Sequence, residues 1–228
     1  MQDELIFLDT EGTGDDPKTD RLCQVSYKIG GEIKSAYFKP PIPITVEAMS
    51  VTHITNKMVE NAEAFSGSEM KKDLERLFQD HVLVAHNALF DIAMFRNEGV
   101  EVANFIDTLR LVRHLDPDNK IPQHKLQYLR YFLDLDVEAT AHDAAGDIAV
   151  LEKLFERLKA KLSIEEMIEI SSRPTLFKNF IFGKYKGKEI AEVVKRDKGY
   201  LEWLLSQMTN NETDEDWIYT LKHYLGRF

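Results

Sequence analysis

The sequence predicts a layered α/β domain followed by a smaller second domain. Short apolar segments alternate with amphipathic helical segments up to about residue 165, which is typical of a sheet covered by helices. The chain has 228 residues, of which 43% are hydrophobic and 30% charged, so it can bury a sizeable core. This composition excludes disordered and fibrous proteins.

Three strands are predicted near the start of the chain. The first covers residues 4–9 and the second covers residues 22–29. Gly30 and Gly31 then form a two-residue hairpin signal. A third strand over residues 34–39 is therefore expected to run antiparallel to the second.

Helices with one apolar face account for most of the remaining domain. They are predicted over residues 70–78, 89–98, 126–133 and 144–162, with a short buried strand over 82–85. Gly99 is expected to cap the second of these helices. The stretch 171–174 reads as a linker. We therefore expect one domain over residues 1–168 and a small α+β domain over residues 169–228.

Four carboxylates stand where an uncompensated charge would be costly. Asp9 and Glu11 are two residues apart in a predicted strand, so their side chains lie on one face. Asp91 and Asp147 lie on apolar helix faces, where a buried carboxylate needs a partner or a metal. Taken singly, each is also compatible with a cap, a surface acid or a salt bridge. Together they favour Mg²⁺ or Mn²⁺, which prefer hard oxygen ligands.

A pair of such ions can assist hydrolysis of a phosphodiester by water, and the water then needs a base. His142 is the candidate, because it precedes Asp147 by five residues on the segment that leads into the last helix of the domain. A neutral imidazole has a pKa near 6.5 and is a suitable general base near neutral pH.

Three segments resemble the exonuclease motifs of the DEDDh nucleases, the superfamily of polymerase proofreading subunits. They are DTEGTG at residues 9–14, AHNALFD at residues 85–91, and His142 with Asp147. The resemblance implies a ribonuclease-H-like mixed β-sheet flanked by helices, and metal-dependent 3′ to 5′ removal of nucleoside 5′-monophosphates from DNA. It maps Asp9, Glu11, Asp91 and Asp147 onto ligands of two divalent ions, and His142 onto the base.

The same resemblance places substrate-binding residues in and near the motifs. They are Thr10, Gly12, Thr52, His53, Asn87 and Phe90. Two of these positions depart from the family pattern. Gly12 stands where the family usually has Thr, which removes a side chain beside the terminal nucleotide. Thr52 and His53 stand where the family often has His and then Gly, so His53 is expected to reach the terminal base from the next position.

The C-terminal part resembles that of the bacterial exodeoxyribonuclease X family, on segments 173–176, 182–188, 199–204 and 221–225. The formal net charge of the whole chain is −10, yet residues 173–198 hold eight basic and three acidic side chains. We expect Lys184, Lys186 and Lys188 to contact phosphates and Phe182 and Tyr185 to stack on bases. The alternatives are a solvated lysine-rich hairpin with core aromatics, or docking of residues 203–205 on the nuclease domain.

The sequence thus predicts a 3′ to 5′ exodeoxyribonuclease acting on single-stranded or duplex DNA ends. An RNA 3′-end-trimming enzyme of the same family stays open, because nothing in the chain shows how a 2′-hydroxyl is treated. A catalytically idle nucleic-acid-binding module is the alternative from another class. No membrane-spanning segment is found, and the single cysteine, Cys23, is expected in the core of a cytoplasmic protein. The oligomeric state stays open.

Overall fold

The computed structural model describes residues 5–137, 144–211 and 214–227. Within these ranges it has five strands and ten α-helices. The strands are β1 (Leu5–Gly12), β2 (Leu22–Ile29), β3 (Glu32–Tyr37), β4 (Val82–Ala85) and β5 (Phe105–Asp107). The helices are α1 (Val46–Thr52), α2 (Glu69–Asp80), α3 (Ala88–Asn97), α4 (Thr108–Leu115), α5 (Leu126–Phe132), α6 (Ala144–Lys159), α7 (Ile164–Ser171), α8 (Ile190–Arg196), α9 (Lys198–Asn211) and α10 (Glu215–Leu225). In the described part of the chain, no helix combines the length and the apolar character that crossing a bilayer requires.

The five strands form one mixed sheet in the order β3-β2-β1-β4-β5. The first three strands pair antiparallel, whereas β4 pairs parallel to both β1 and β5. One face of the sheet packs on α2 and α3, and the other packs on α4, α6 and α7. The fold is therefore the predicted ribonuclease-H-like sheet flanked by helices.

Strand β1 extends three residues further than the predicted strand over 4–9. Its parallel pairing with β4 stops at Phe7, while its antiparallel pairing with β2 continues to Gly12. The second half of β1 is therefore open on the β4 side, at the carboxyl end of the parallel strands. Asp9 and Glu11 lie in this open half, and this position is where α/β sheets commonly bind ligands.

Strand β3 begins two residues earlier than predicted. Gly30 and Gly31 have φ values of 55° and 89°, which glycine adopts without steric strain. The two glycines alone therefore form the turn, and Ile29 pairs with Glu32.

Helix α6 ends at Lys159, before the predicted residue 162, because a separate helix follows. Ser163 caps α7 by accepting a hydrogen bond from the N–H of Glu166, whose carboxylate accepts one from the Ser163 N–H. This capping box fixes a helix start. The expected linker over 171–174 is anchored at its first residue, because the buried Ser171 hydroxyl accepts the N–H of Asp107 at 2.8 Å.

The C-terminal part packs α8, α9 and α10 around an aromatic core that includes Phe177, Phe180 and Trp217. Its β structure among the described residues is one isolated bridge between Asn179 and Glu189. The β content is thus smaller than the predicted α+β domain implies. The physical reason is the short segment 180–188, in which turns at Gly183 and Gly187 leave no length for a strand ladder.

Buried ion pairs join the C-terminal part to the N-terminal domain. Asp216 on α10 accepts from Arg110 at 2.9 Å and from Arg113 at 2.6 Å, and both arginines belong to α4. The second Arg110 nitrogen donates to the Ser171 carbonyl at 2.7 Å. Asp216 also accepts the N–H of Thr175 at 2.9 Å, so its carboxylate is surrounded by donors.

Candidate active site

Three carboxylates from two elements meet at the open half of β1. Asp9, Glu11 and Asp147 each offer one oxygen, and these oxygens all lie within 4.8 Å of one another. Asp9 and Glu11 share a face of β1 because alternate strand residues point the same way. Helix α6 crosses that face and brings Asp147, in its first turn, over the pair. The three residues form a group able to hold a divalent cation.

Asp91 approaches the cluster from the other side of the strand. It lies in the first turn of α3, is 5% exposed, and accepts a hydrogen bond from the Thr10 hydroxyl at 2.6 Å. Thr10 points toward α3 because it alternates with Asp9 and Glu11 along β1. Asp91, the predicted fourth ligand, is therefore buried next to the group of Asp9, Glu11 and Asp147 but is not a member of it. The Thr10 hydroxyl, predicted to contact substrate, holds this carboxylate in place.

Electrostatic repulsion marks this cluster as a place for positive charge. Burial, followed by the charges of Asp91, Glu11 and Asp147, raises the pKa of Asp9 well above its usual range. Burial and the charges of Asp147 and Asp91 raise the pKa of Glu11 to about 8. Burial raises the pKa of Asp91 to about 7 despite the opposing hydrogen bond from Thr10. A bound cation would take the place of protons on these carboxylates.

Gln127 is a site residue that the sequence reasoning missed. Its side-chain amide on α5 donates a hydrogen bond to Asp147 Oδ1. The amide therefore fixes the orientation of one carboxylate oxygen. No local pattern distinguishes this glutamine from a surface residue of a helix, so only the packing of α5 on α6 reveals it.

His142, the predicted base, lies outside the described residues, which resume at residue 144. Its role stays a prediction.

Gly12 has a packing role beside any substrate role. A Cβ at this position would lie 2.9 Å from the Met94 side chain and 3.2 Å from the Gly14 carbonyl oxygen. The space left by the missing side chain is thus filled by Met94 from α3. The sheet register also shifts between Glu11 and Gly12, a bulge that re-aims the end of β1.

The loop residues Thr52 and His53 end helix α1. The buried Thr52 hydroxyl donates to the Ala48 carbonyl at 3.1 Å and accepts the Ile54 N–H at 3.2 Å. His53 is exposed and has a φ of 59°, and its N–H caps the helix at the Met49 carbonyl. The Thr52 hydroxyl therefore serves the backbone, whereas the His53 ring faces solvent.

The second motif places Asn87 and Phe90 at the start of α3. Asn87 is exposed with a φ of 70°, and its N–H donates to Asp107 Oδ1 at 3.0 Å. This bond stabilises a left-handed backbone conformation that asparagine tolerates better than most residues. Phe90 is half-buried against the core on the α2 and α3 face of the sheet.

The aromatic residues of the basic C-terminal turn are committed to the protein. Phe182 packs edge-on against Trp217 with ring centroids 4.8 Å apart, and the Tyr185 hydroxyl donates to Asp197 at 2.6 Å. Both rings are half-buried against the core of the small domain, which favours the alternative of core aromatics, and base stacking stays a prediction. All three lysines of this turn, Lys184, Lys186 and Lys188, are exposed. Lys184 also forms an ion pair with Asp197 at 3.0 Å.

The docking alternative for residues 203–205 is wrong. Leu204 and Leu205 are buried in the core of the C-terminal part itself, and Trp203 is 55% exposed. Asp216 and its two arginines make the connection to the nuclease domain instead. An apolar pattern in a helix cannot indicate which neighbour that helix packs against.

The fold and the carboxylate cluster define a ribonuclease-H-like enzyme with a candidate divalent-metal centre. Comparison with known proteins supports this class. The exonuclease family model matches residues 6–155, and the model of the exodeoxyribonuclease X-like C-terminal region matches residues 180–208. The chain belongs to this exonuclease family.

Two relatives illustrate how far the similarity extends. Exodeoxyribonuclease 10 of Escherichia coli strain K12 is 30% identical over 97% of this chain and 98% of its own length. DNA polymerase III PolC-type of Bacillus cereus is 33% identical over 63% of this chain, which corresponds to 10% of that protein. The first relative therefore shares both parts of the chain.

Solved structures show the same fold. Exonuclease X in complex with 5′ overhanging duplex DNA matches with a TM-score of 0.59 and 24% identity, covering 73% of this chain and 99% of that one. A structure of exonuclease I matches with a TM-score of 0.59 and 18% identity, covering 75% of this chain and 44% of that one.

Proposed function

We propose that this protein is a divalent-cation-dependent 3′ to 5′ exodeoxyribonuclease that releases nucleoside 5′-monophosphates from DNA ends. The observation that carries the proposal is the group of three carboxylates within 4.8 Å at the open half of β1. The full-length similarity to an exodeoxyribonuclease and the solved relative bound to duplex DNA favour DNA as the substrate.

The donor set fits two Mg²⁺ or Mn²⁺ ions. Every candidate ligand is a carboxylate, and hard oxygen donors suit these cations better than zinc or copper. Asp9, Glu11 and Asp147 would hold the cations, with Asp91 completing the set. When bound, such cations stabilise the charge on the attacking and leaving oxygens of a phosphodiester.

The chain's own residues have separate tasks in this proposal. Thr10 orients Asp91 and Gln127 orients Asp147, so two of the four carboxylates are fixed before substrate arrives. His142 accepts a proton from the attacking water. An imidazole with an ordinary pKa is half-deprotonated near pH 6.5, so the rate should rise with pH through that range.

Residues around the cluster would receive the terminal nucleotide. The exposed side chains of His53 and Asn87 are the candidates for polar contacts, and Phe90 for contact with the base. Thr52 supports the loop through its backbone hydrogen bonds. Lys186 and Lys188 would supply positive charge to phosphates further along the DNA strand. A cytoplasmic location belongs to the same proposal.

The test is a turnover assay on 5′-labelled DNA and RNA strands of equal length, with Mg²⁺, Mn²⁺ or EDTA. We expect the DNA to shorten from its 3′ end in one-nucleotide steps, with 5′-monophosphates as products, only when a cation is present. A circular strand should stay intact. Faster shortening of RNA would favour the RNA-trimming alternative. Binding without cleavage in any cation would support an idle binding module and would refute the proposal.

A second experiment addresses the base. His142→Ala should lower the rate roughly 10² to 10⁴-fold while cation binding persists. The rate of the variant should no longer rise with pH through the imidazole range. If the pH profile were unchanged, His142 would be a positioning residue.

A further inference from the structure

A cleft of mixed polar and apolar lining separates the nuclease domain from the C-terminal part. Its volume is about 900 Å³, near the upper end of the range of small-molecule pockets. Asn87, Lys125 and Leu126 line it from the nuclease domain, and Asn179, Lys186 and Gly187 line it from the C-terminal part. The cleft thus has one wall in each part of the chain.

Two residues of the cleft lining are close in sequence to residues of the carboxylate site. Asn87 lies both in the cleft wall and at the start of α3, the helix that carries Asp91. Leu126 lies in the same wall and precedes Gln127, whose amide is bonded to Asp147. A strand whose 3′ end reaches the carboxylates therefore has this cleft as an adjoining path.

The charges in the walls suit a polyanion. Within the described residues, Lys125 and Lys186 form no ion pair with the protein, although both are exposed. Two acids also line the cleft: Asp118, which lies 3.8 Å from Lys178, and Asp214, which caps α10 through the Trp217 N–H. With Arg113, the lining holds three basic side chains against these two acids. The positive charge that remains available comes from one lysine on each wall.

The ion pairs of Asp216 hold the two walls in position. The bonds from Arg110 and Arg113 fix α10 against α4, and Arg113 itself lines the cleft. A cleft whose walls are fixed before binding loses less entropy when a ligand enters.

We propose that this cleft carries the single strand of DNA that runs 5′-ward from the terminal nucleotide, with Lys125 and Lys186 contacting its phosphates from opposite sides. The inference rests on the proposed function and extends it to the path of the substrate. A cleft of this volume accommodates a few nucleotides of one strand.

The first test compares two double variants that remove the same charge. Lys125→Ala with Lys186→Ala removes the two cleft lysines. Lys161→Ala with Lys222→Ala removes one exposed lysine from each part of the chain, outside the cleft lining. The probe is a labelled oligo-dT strand of about 12 nucleotides, and its affinity is measured with EDTA over a range of salt concentrations.

Two phosphate contacts should make the log–log salt slope of the cleft variant shallower by about 1.4, from roughly 0.7 per contact for single strands. The control variant should keep the wild-type slope. Equal slopes in the two variants, whether changed or unchanged, would overturn the inference.

The second test separates this inference from the proposed function. A dinucleotide reaches the carboxylate site without filling the cleft, so the cleft variant should lose less activity on a dinucleotide than on a longer strand. On longer strands its KM should rise while kcat is kept. A wild-type protein that cleaves no DNA would refute the proposed function. Cleavage of both substrates with unchanged KM in the cleft variant would refute the cleft path alone.

Discussion

The molecule buries carboxylates in two places and treats them in opposite ways. At the nuclease site, Asp9, Glu11 and Asp147 face one another, and the charge of Asp91 adds to their repulsion. At the contact between the two parts, Asp216 accepts from Arg110, Arg113 and the Thr175 N–H. Burial alone does not separate the two places, since Asp147 is 7% exposed and Asp216 is 4% exposed, while Asp9 and Glu11 are half-buried.

The difference teaches that compensation, more than burial, separates a functional acid from a structural one. A buried carboxylate that already accepts hydrogen bonds from several donors has little remaining capacity to bind a cation. Buried carboxylates that raise one another's pKa are stabilised only when protons or cations arrive. Matched substitutions of the two groups should therefore have opposite effects on activity and stability.

Asp9→Asn should give the largest effect. It removes a cation ligand with little change in shape. Loss of several kcal/mol of metal-ion catalysis corresponds to a reduction in rate of at least about 10³-fold. The free energy of unfolding in EDTA should stay the same or increase, because like charges no longer crowd the site. Turnover and urea unfolding measure the two effects. A variant that keeps more than roughly a tenth of the rate would contradict the ligand assignment.

Asp216→Asn should show the reverse pattern. It leaves two buried arginines without their charge partner, which typically lowers the free energy of unfolding by about 3 to 5 kcal/mol. Hydrolysis of a dinucleotide should persist below the unfolding temperature. Glu156→Ala is the control, because it removes an exposed ion pair with Lys153, and exposed ion pairs contribute little to stability. Equal losses for the two variants would mean that the Asp216 pairs do not hold the parts together.

The pH dependence of the free energy of unfolding should reveal the repulsion among the nuclease-site carboxylates in the metal-free protein. The raised pKa values of Glu11, about 8, and Asp91, about 7, mean that the folded state keeps protons that the unfolded state releases above about pH 4 to 5. The free energy of unfolding in EDTA should therefore fall as the pH rises from 5 to 8, by up to about 1.4 kcal/mol per unit for each proton. Urea unfolding at several pH values measures this slope.

Glu11→Gln should flatten that slope by about one proton, and excess Mg²⁺ should oppose the loss, because cations replace the protons. Stability that rises with pH in EDTA would show that the carboxylates are compensated after all.

Thr10→Val should give the smallest effect. It removes the hydroxyl group that donates a hydrogen bond to Asp91 at 2.6 Å. A hydrogen bond to a charged group contributes about 1.5 to 3 kcal/mol. Because this bond lowers the pKa of Asp91, the half-saturating Mg²⁺ concentration at pH 7 should rise about tenfold. Thr13→Val is the control, since its hydroxyl donates to Asp20 at 2.6 Å, away from the cluster. The same Mg²⁺ shift in both variants would exclude a specific role for Thr10.

The sequence indicated the acids that the structure brings together, Asp9, Glu11 and Asp147, because their signal is local. Two acids at strand spacing and acids on apolar helix faces can be recognised without knowing which elements meet. Gln127 and the Arg110 pair with Asp216 could not be predicted, because each depends on contacts between segments far apart in the chain. The start of α7 was missed although its capping box, Ser163 with Glu166, is visible in the sequence.

The environment of aromatic side chains was the least predictable feature. Phe182 and Tyr185 lie among lysines in the sequence, which favoured a base-stacking surface, yet the small domain uses them for its own packing. Trp203 was grouped with buried leucines and lies exposed. Sequence neighbours fix the charge near a ring, but tertiary contacts decide whether the ring is accessible.

The anchoring of Ser171 determines where a shortened enzyme can end. A fragment that stops at residue 168, the boundary suggested by sequence, loses the hydroxyl that satisfies the buried Asp107 N–H and the carbonyl that receives Arg110. Asp107 in turn holds the N–H of Asn87 at the start of α3. Weak activity in such a fragment would therefore report a loosened catalytic helix as much as a missing C-terminal part. A fragment retained through Ser172 keeps both bonds and isolates what the C-terminal part contributes.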